Sequence, residues 1–178
     1  MRKALLIVLL AVLPLISFAQ TSGIPQRLSI VSIETGSGDP DERIEVFNTP
    51  AEGQNHYYLS VGHLGFGDEV VQILFDPIFE LFIPLGDSLS EAIETLENIQ
   101  GLFNEEPGAR MESQGCLAFG VPDGNLETVA ITYTRFLGRM LVFSLEREGY
   151  IRSSHVSKSN FGSAVRGVKF YKKLHPKE

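Results

Sequence analysis

Apolar and polar positions change their period several times along this chain, and each change marks an element. Leu28, Ile30 and the run Val31-Ser32-Ile33 alternate well enough for a first strand. The run Gly36-Ser37-Gly38-Asp39-Pro40-Asp41 reads as a turn, and Arg43 to Phe47 as a second strand. From Tyr57 to Phe66 the period is two, with Tyr57, Leu59 and Val61 on one side and Tyr58 and Ser60 on the other. Val70 to Phe75 and Ile78 to Ile83 are nearly continuous apolar runs divided by Asp76-Pro77. They predict two short strands, or one strand broken by a bend, because proline cannot donate to a central ladder.

The period then becomes helical. Leu89, Ala92, Ile93, Leu96, Ile99 and Phe103 recur at spacings of three and four, while Glu91, Glu94, Glu97 and Asn98 fall elsewhere. Ser88 and Glu91 occupy the two positions of a capping box at the start, and Pro107-Gly108 are stop signals at the end. A β-meander follows: Glu112 to Phe119, Thr128 to Phe136, Leu141 to Leu145 and Ile151 to Val156, with turns at Pro122-Asp123-Gly124 and Leu137-Gly138-Arg139. From Asn160, the residues Phe161, Ala164, Val165 and Val168 give a second helical stripe. The predicted fold class is α+β: a largely antiparallel sheet of about six to eight strands covered by two amphipathic helices, near 89–103 and 160–174. The order suggests two halves, each of strands followed by a helix.

The first residues have a different character. Met1-Arg2-Lys3 is basic, Ala4 to Ile16 is apolar, and Ser17-Phe18-Ala19 places small residues before Gln20. Charge to orient, an apolar stretch to enter a translocase and small side chains at the cut are the parts of a secretory leader. The segment resembles the leaders of exported bacterial proteins. The apolar run is interrupted by Pro14 and falls short of the roughly 20 residues that span a bilayer, so no stable membrane span is expected after cleavage. The reading is a signal peptide at 1–19 and one exported domain at 20–178, in the periplasm or outside the cell.

Composition narrows this further. Apolar residues make up 43% and charged residues 21% of the chain, the balance of a globular protein. A single cysteine, Cys116, excludes an intrachain disulfide and a zinc ribbon, and with no basic neighbour it reads as buried. The net charge of −7 is unevenly spread: residues 20–133 hold three basic and 19 acidic side chains, residues 134–178 ten basic and three acidic. Either the two parts attract each other within one fold, or the C-terminal part offers a basic patch to an anionic partner. No aromatic-interleaved basic stripe accompanies it, so nucleic acid is not an expected partner.

Four groups of residues bear on chemistry. Leu85-Gly86-Asp87-Ser88-Leu89-Ser90, set between an apolar strand and a helix start, resembles the nucleophile block of the GDSL (SGNH) hydrolases. That resemblance implies an α/β/α esterase with Ser88 as nucleophile and a late Asp-x-x-His pair. The chain departs from it: after Ser88 the only aspartate is Asp123, and no histidine stands three residues beyond. The alternative for the same residues is a turn plus helix cap. Asp39, Asp41 and Glu42 cluster carboxylates in a glycine-rich loop, the oxygen chemistry a calcium ion takes, without EF-hand spacing. Glu80, between Phe79 and Leu81, is either a buried acid or a solvent-facing residue on an edge strand, which the nearby prolines favour. His56, His63, His155 and His175 share no metal spacing such as HxxxH, nothing in the sequence brings His63, His155 and Cys116 together in a cleft, and no cofactor fingerprint is present. The expected function is an exported, non-catalytic binding or interaction domain whose partner is a protein or a small molecule; the alternative is a small GDSL-like serine hydrolase using Ser88.

Overall fold

Among the described residues, eight strands form one antiparallel sheet in which the spatial order follows the chain order. The structure, a computed structural model, describes residues 27–34, 43–50, 53–62, 80–117, 126–135, 138–147 and 150–176. In sequence the elements are β1 (Leu28–Glu34), β2 (Arg43–Asn48), β3 (Tyr57–Gly62), β4 (Glu80–Gly86), α1 (Leu89–Gly101), a 3-10 turn (Leu102–Asn104), β5 (Arg110–Leu117), β6 (Glu127–Thr134), β7 (Met140–Arg147), β8 (Tyr150–Ser157) and α2 (Lys158–Leu174). The α+β class and the two helices are therefore as the period changes predict. The apolar run at Val70 to Phe75 lies outside the described residues. The second helix begins at Lys158, earlier than its apolar stripe, because the Ser157 hydroxyl accepts the Asn160 N–H at 3.3 Å and caps it there.

Each half is a four-stranded meander that runs into a helix, and the halves meet at β4 and β5. That junction is short: Leu81 pairs with Leu117 and Phe82 with Cys116. Gly115 permits the close approach, since a Cβ there would lie 2.7 Å from a Val129 methyl and 2.8 Å from the Phe82 carbonyl oxygen. Pro84 sits in β4 beyond the last β4–β5 pair, which is how a proline is accommodated in a strand with neighbours on both sides.

Alternation sends one side chain in two to the inner face. Ile44, Val46, Tyr57, Leu59, Val61, Leu81, Ile83 and Leu85 line it in the first half, and Val129, Ile131, Tyr133, Leu141, Phe143, Leu145 and Val156 in the second, all buried. Leu89, Ala92, Leu96 and Ile99 of α1 and Phe161, Ala164, Val165 and Val168 of α2 cover that face. A helix of 13 residues is marginal alone in water, so α1 owes its persistence to this burial, at about 1.5–3 kcal/mol for each large apolar side chain. The helices pack on each other; α1 lies on β3 and β4, whereas α2 leaves β8 and crosses to β1 and β2. Strands β3 and β8 also approach each other, so the twisted sheet curls around the helix pair. Among the described residues no helix is long and apolar enough to cross a membrane.

The crossing of α2 over β1 depends on Gly167. A Cβ there would meet the two Val31 methyls at 2.6 and 3.1 Å. Gly167→Ala gains about 1 kcal/mol of helix propensity but overpacks a stiff β-branched neighbour, which costs about 1–3 kcal/mol. Urea denaturation should show a net loss of stability for Gly167→Ala, and Val31→Ala in the same chain should restore most of it.

Candidate functional site

The Gly86-Asp87-Ser88 turn joins β4 to α1, and its geometry is set by backbone needs. Gly86 has φ +123°, and a Cβ there would stand 2.6 Å from the Glu91 Cβ, so glycine is required. Ser88 is extended (φ −135°, ψ 153°), and its Oγ accepts the Glu91 N–H at 3.2 Å. Glu91 Oε2 in return accepts the N–H groups of Asp87 at 2.8 Å and Ser88 at 3.1 Å, which completes the capping box. Thr95 Oγ1 donates to the Leu85 carbonyl at 3.2 Å and ties α1 back to its strand.

A histidine stands beside this turn. Asn48 is buried at the end of β2, donates its amide to Asn55 Oδ1 at 2.8 Å and accepts the His56 N–H at 3.1 Å. The hairpin is thereby pinned, and the His56 ring Nδ1 lies 2.8 Å from Asp87 Oδ1. An ionised carboxylate only accepts, so Nδ1 carries the proton and Nε2 of the neutral ring is an acceptor. The pair is open to solvent, with Asp87 72% exposed, and contributes little to stability. The Ser88 hydroxyl has its cap as partner; none of the histidines His56, His155 and His175 hydrogen-bonds to it.

A second constellation lies on the outer face of the first meander. Glu45, Phe47, Tyr58, Ser60, Glu80 and Phe82 alternate outward from β2, β3 and β4, and Cys116 joins them from β5. Phe47 stacks on Tyr58 at 5.6 Å and meets Phe82 edge-on at 5.8 Å. Arg27, just before β1, spans the group. Its guanidinium lies 4.3 Å from the Phe47 ring centre and 5.5 Å from that of Phe82, bonds Glu80 Oε1 at 2.8 Å and also bonds Glu45. Glu80 further accepts the Ser60 hydroxyl at 2.5 Å, and Glu45 the Arg43 guanidinium at 3.3 Å. Burial alone would lower the Arg27 pKa, but the bond to Glu80 and the charges of Glu80 and Glu45 outweigh it and hold it above its ordinary value. Burial, with smaller effects from Cys116 and Asp87, pushes the Tyr58 phenol up.

The residues singled out in the sequence therefore separate. Ser88 caps a helix. Glu80 is not on an edge strand: β4 pairs with both β3 and β5, and the carboxylate is ion-paired and largely buried rather than facing solvent. Cys116 is buried against Phe47 and Phe82. His155 lies in β8 opposite Val142, with β6 and β7 between it and β5, so it does not join Cys116. Asp39, Asp41, Glu42 and His63 lie outside the described residues. Within the described residues no three histidine, cysteine or carboxylate side chains are grouped to hold a metal ion. Arg27 had no signal of its own beyond the shared parity of Arg43, Glu45 and Phe47. Compared with family models, with curated proteins and with solved structures, the chain matches none.

The Arg27 bridge stabilises the fold, since two carboxylates on neighbouring strands share one guanidinium. Arg27→Met should cost about 3 kcal/mol by denaturant unfolding, because Glu80 is left largely buried with only the Ser60 hydroxyl and Glu45 with only the longer Arg43 contact. Adding Glu45→Gln and Glu80→Gln to the same chain should recover a large part of that loss.

Proposed function

We propose that this protein is an exported domain that binds a protein or small-molecule ligand without carrying out a reaction on it, in the periplasm or outside the cell. The observation that carries the non-catalytic part is the state of Ser88. Its Oγ accepts an N–H in a complete capping box, the arrangement that ends a strand and starts a helix irrespective of chemistry. Export rests on the basic, apolar and small-residue parts of residues 1–19.

The second reading is a serine hydrolase using Ser88. It is favoured by the His56–Asp87 pair one residue away, in which a carboxylate orients the imidazole as it does in a general base. A serine-reactive fluorophosphonate separates the two. The binding-domain reading expects no labelling of wild type; labelling that disappears in Ser88→Ala would overturn it. The cap makes an independent forecast. Ser88→Ala should cost about 1 kcal/mol, whereas Ser88→Asp, an equally good cap, should stay near wild type. Export is tested by the mass of the exported product, expected to begin at Gln20; an intact Met1 terminus would contradict it.

A further inference from the structure

Three of the ten basic residues in the last quarter of the chain, Arg135, Arg139 and Lys158, gather at one place. The Tyr133 ring is buried edge-on to Phe103, with centres 5.6 Å apart, and its backbone is fixed by bonds from Gly108 N–H to its carbonyl and from its own N–H to Ala109. Its hydroxyl oxygen accepts Nε–H from Arg135 at 2.9 Å and from Arg139 at 3.2 Å. Arg139 also donates to the Phe103 carbonyl, which closes the C-terminal end of the α1 segment. Arg135 has no such duty. It is exposed, and four of its five N–H groups have no hydrogen-bond partner among the described residues.

Two guanidinium groups that share one oxygen repel each other, and the usual remedy is a carboxylate between them. Among the described residues neither has one within ion-pair distance; Glu106 acts on Arg135 only from further away. The flank is positive too. Lys158 donates its backbone N–H to Arg139 at 2.8 Å and holds its ammonium 5.8 Å from the Phe103 ring centre. It is the first residue of α2, whose opening turn has no acidic side chain to offset the positive helix end. The Arg135 bond, opposed by burial and helped by Arg139, holds the Tyr133 phenol below its ordinary value. A cleft of about 350 Å³ between α1, the 3-10 turn and α2 shares Phe103 and Lys158 with this cluster, so the body of a ligand has room beside it.

We propose that Arg135 and Arg139, held together by the buried Tyr133 hydroxyl, form a binding site for an oxyanion, a phosphate or carboxylate group of the ligand, with Lys158 on its flank. The exposed guanidinium groups supply donors that match such a group, and the buried Tyr133 oxygen, accepting from both, holds them side by side. This rests on the binding-domain reading and names the ligand class; fluorophosphonate labelling of Ser88 would overturn that reading without moving the measurement below.

The test is NMR of the arginine Nε–Hε resonances of the purified full chain, titrated with inorganic phosphate at low ionic strength. Saturable shifts of the Arg135 and Arg139 resonances in the millimolar range are expected. Arg135→Gln, which leaves the Phe103 carbonyl its donor, should weaken binding about tenfold or more. Arg135→Lys, which keeps the charge and loses the fork, should fall between it and wild type. Lys173→Gln removes the same unit charge from the exposed far end of α2 and should leave binding unchanged. The same titration with phosphatidylglycerol vesicles separates the sources: shifts at lower phosphate concentration assign a lipid headgroup, and their absence a soluble ligand. Wild-type resonances that do not shift saturably, or a Lys173→Gln effect as large as that of Arg135→Gln, would overturn the site.

Discussion

The whole structure depends on covering one apolar face of a long sheet. Eight strands in simple order bring a continuous inner layer of aliphatic and aromatic side chains, and two amphipathic helices hide it from water. The second helix has the larger part in this. It starts at the last strand and lies on the first two, so the apolar stripe of Phe161, Ala164, Val165 and Val168 joins ends of the chain that the strand ladder leaves far apart. The ladder joins the two meanders through only a short β4–β5 junction, and the shared helical core supplies the rest of their connection.

The outer face of the first meander shows what happens when alternation puts charge next to bulk. Phe47 and Phe82 would be poorly placed on a wet surface, and Glu45 and Glu80 poorly placed on a dry one. Arg27 answers both, because a guanidinium can lie over an aromatic ring while its edges bond carboxylates. Similar chemistry appears at Tyr133 in the second half, where among the described residues no carboxylate stands within ion-pair distance of Arg135 or Arg139.

Most of the architecture was legible in the sequence. The switch from alternation to spacings of three and four at Leu89 located α1, and Ser88 with Glu91 located its first turn, because capping and amphipathicity are local properties. Glu80 was misread for a physical reason: prolines argue for an edge, but Pro84 is tolerated where the ladder to β5 has already ended. Cross-strand partners were not legible. Nothing in the spacing of Arg27, Glu45 and Glu80, or of Phe103, Tyr133 and Arg139, announces that they meet. Register and helix crossing bring them together, and those follow from packing over the whole sheet rather than from any short window.

The helical core makes one cooperative unit of the two meanders. Native-state hydrogen exchange across a denaturant series tests it most directly. The amides of β2–β3 and of β6–β7 should converge on a single unfolding isotherm. Two separate isotherms, with one meander opening while the other stays protected, would contradict it.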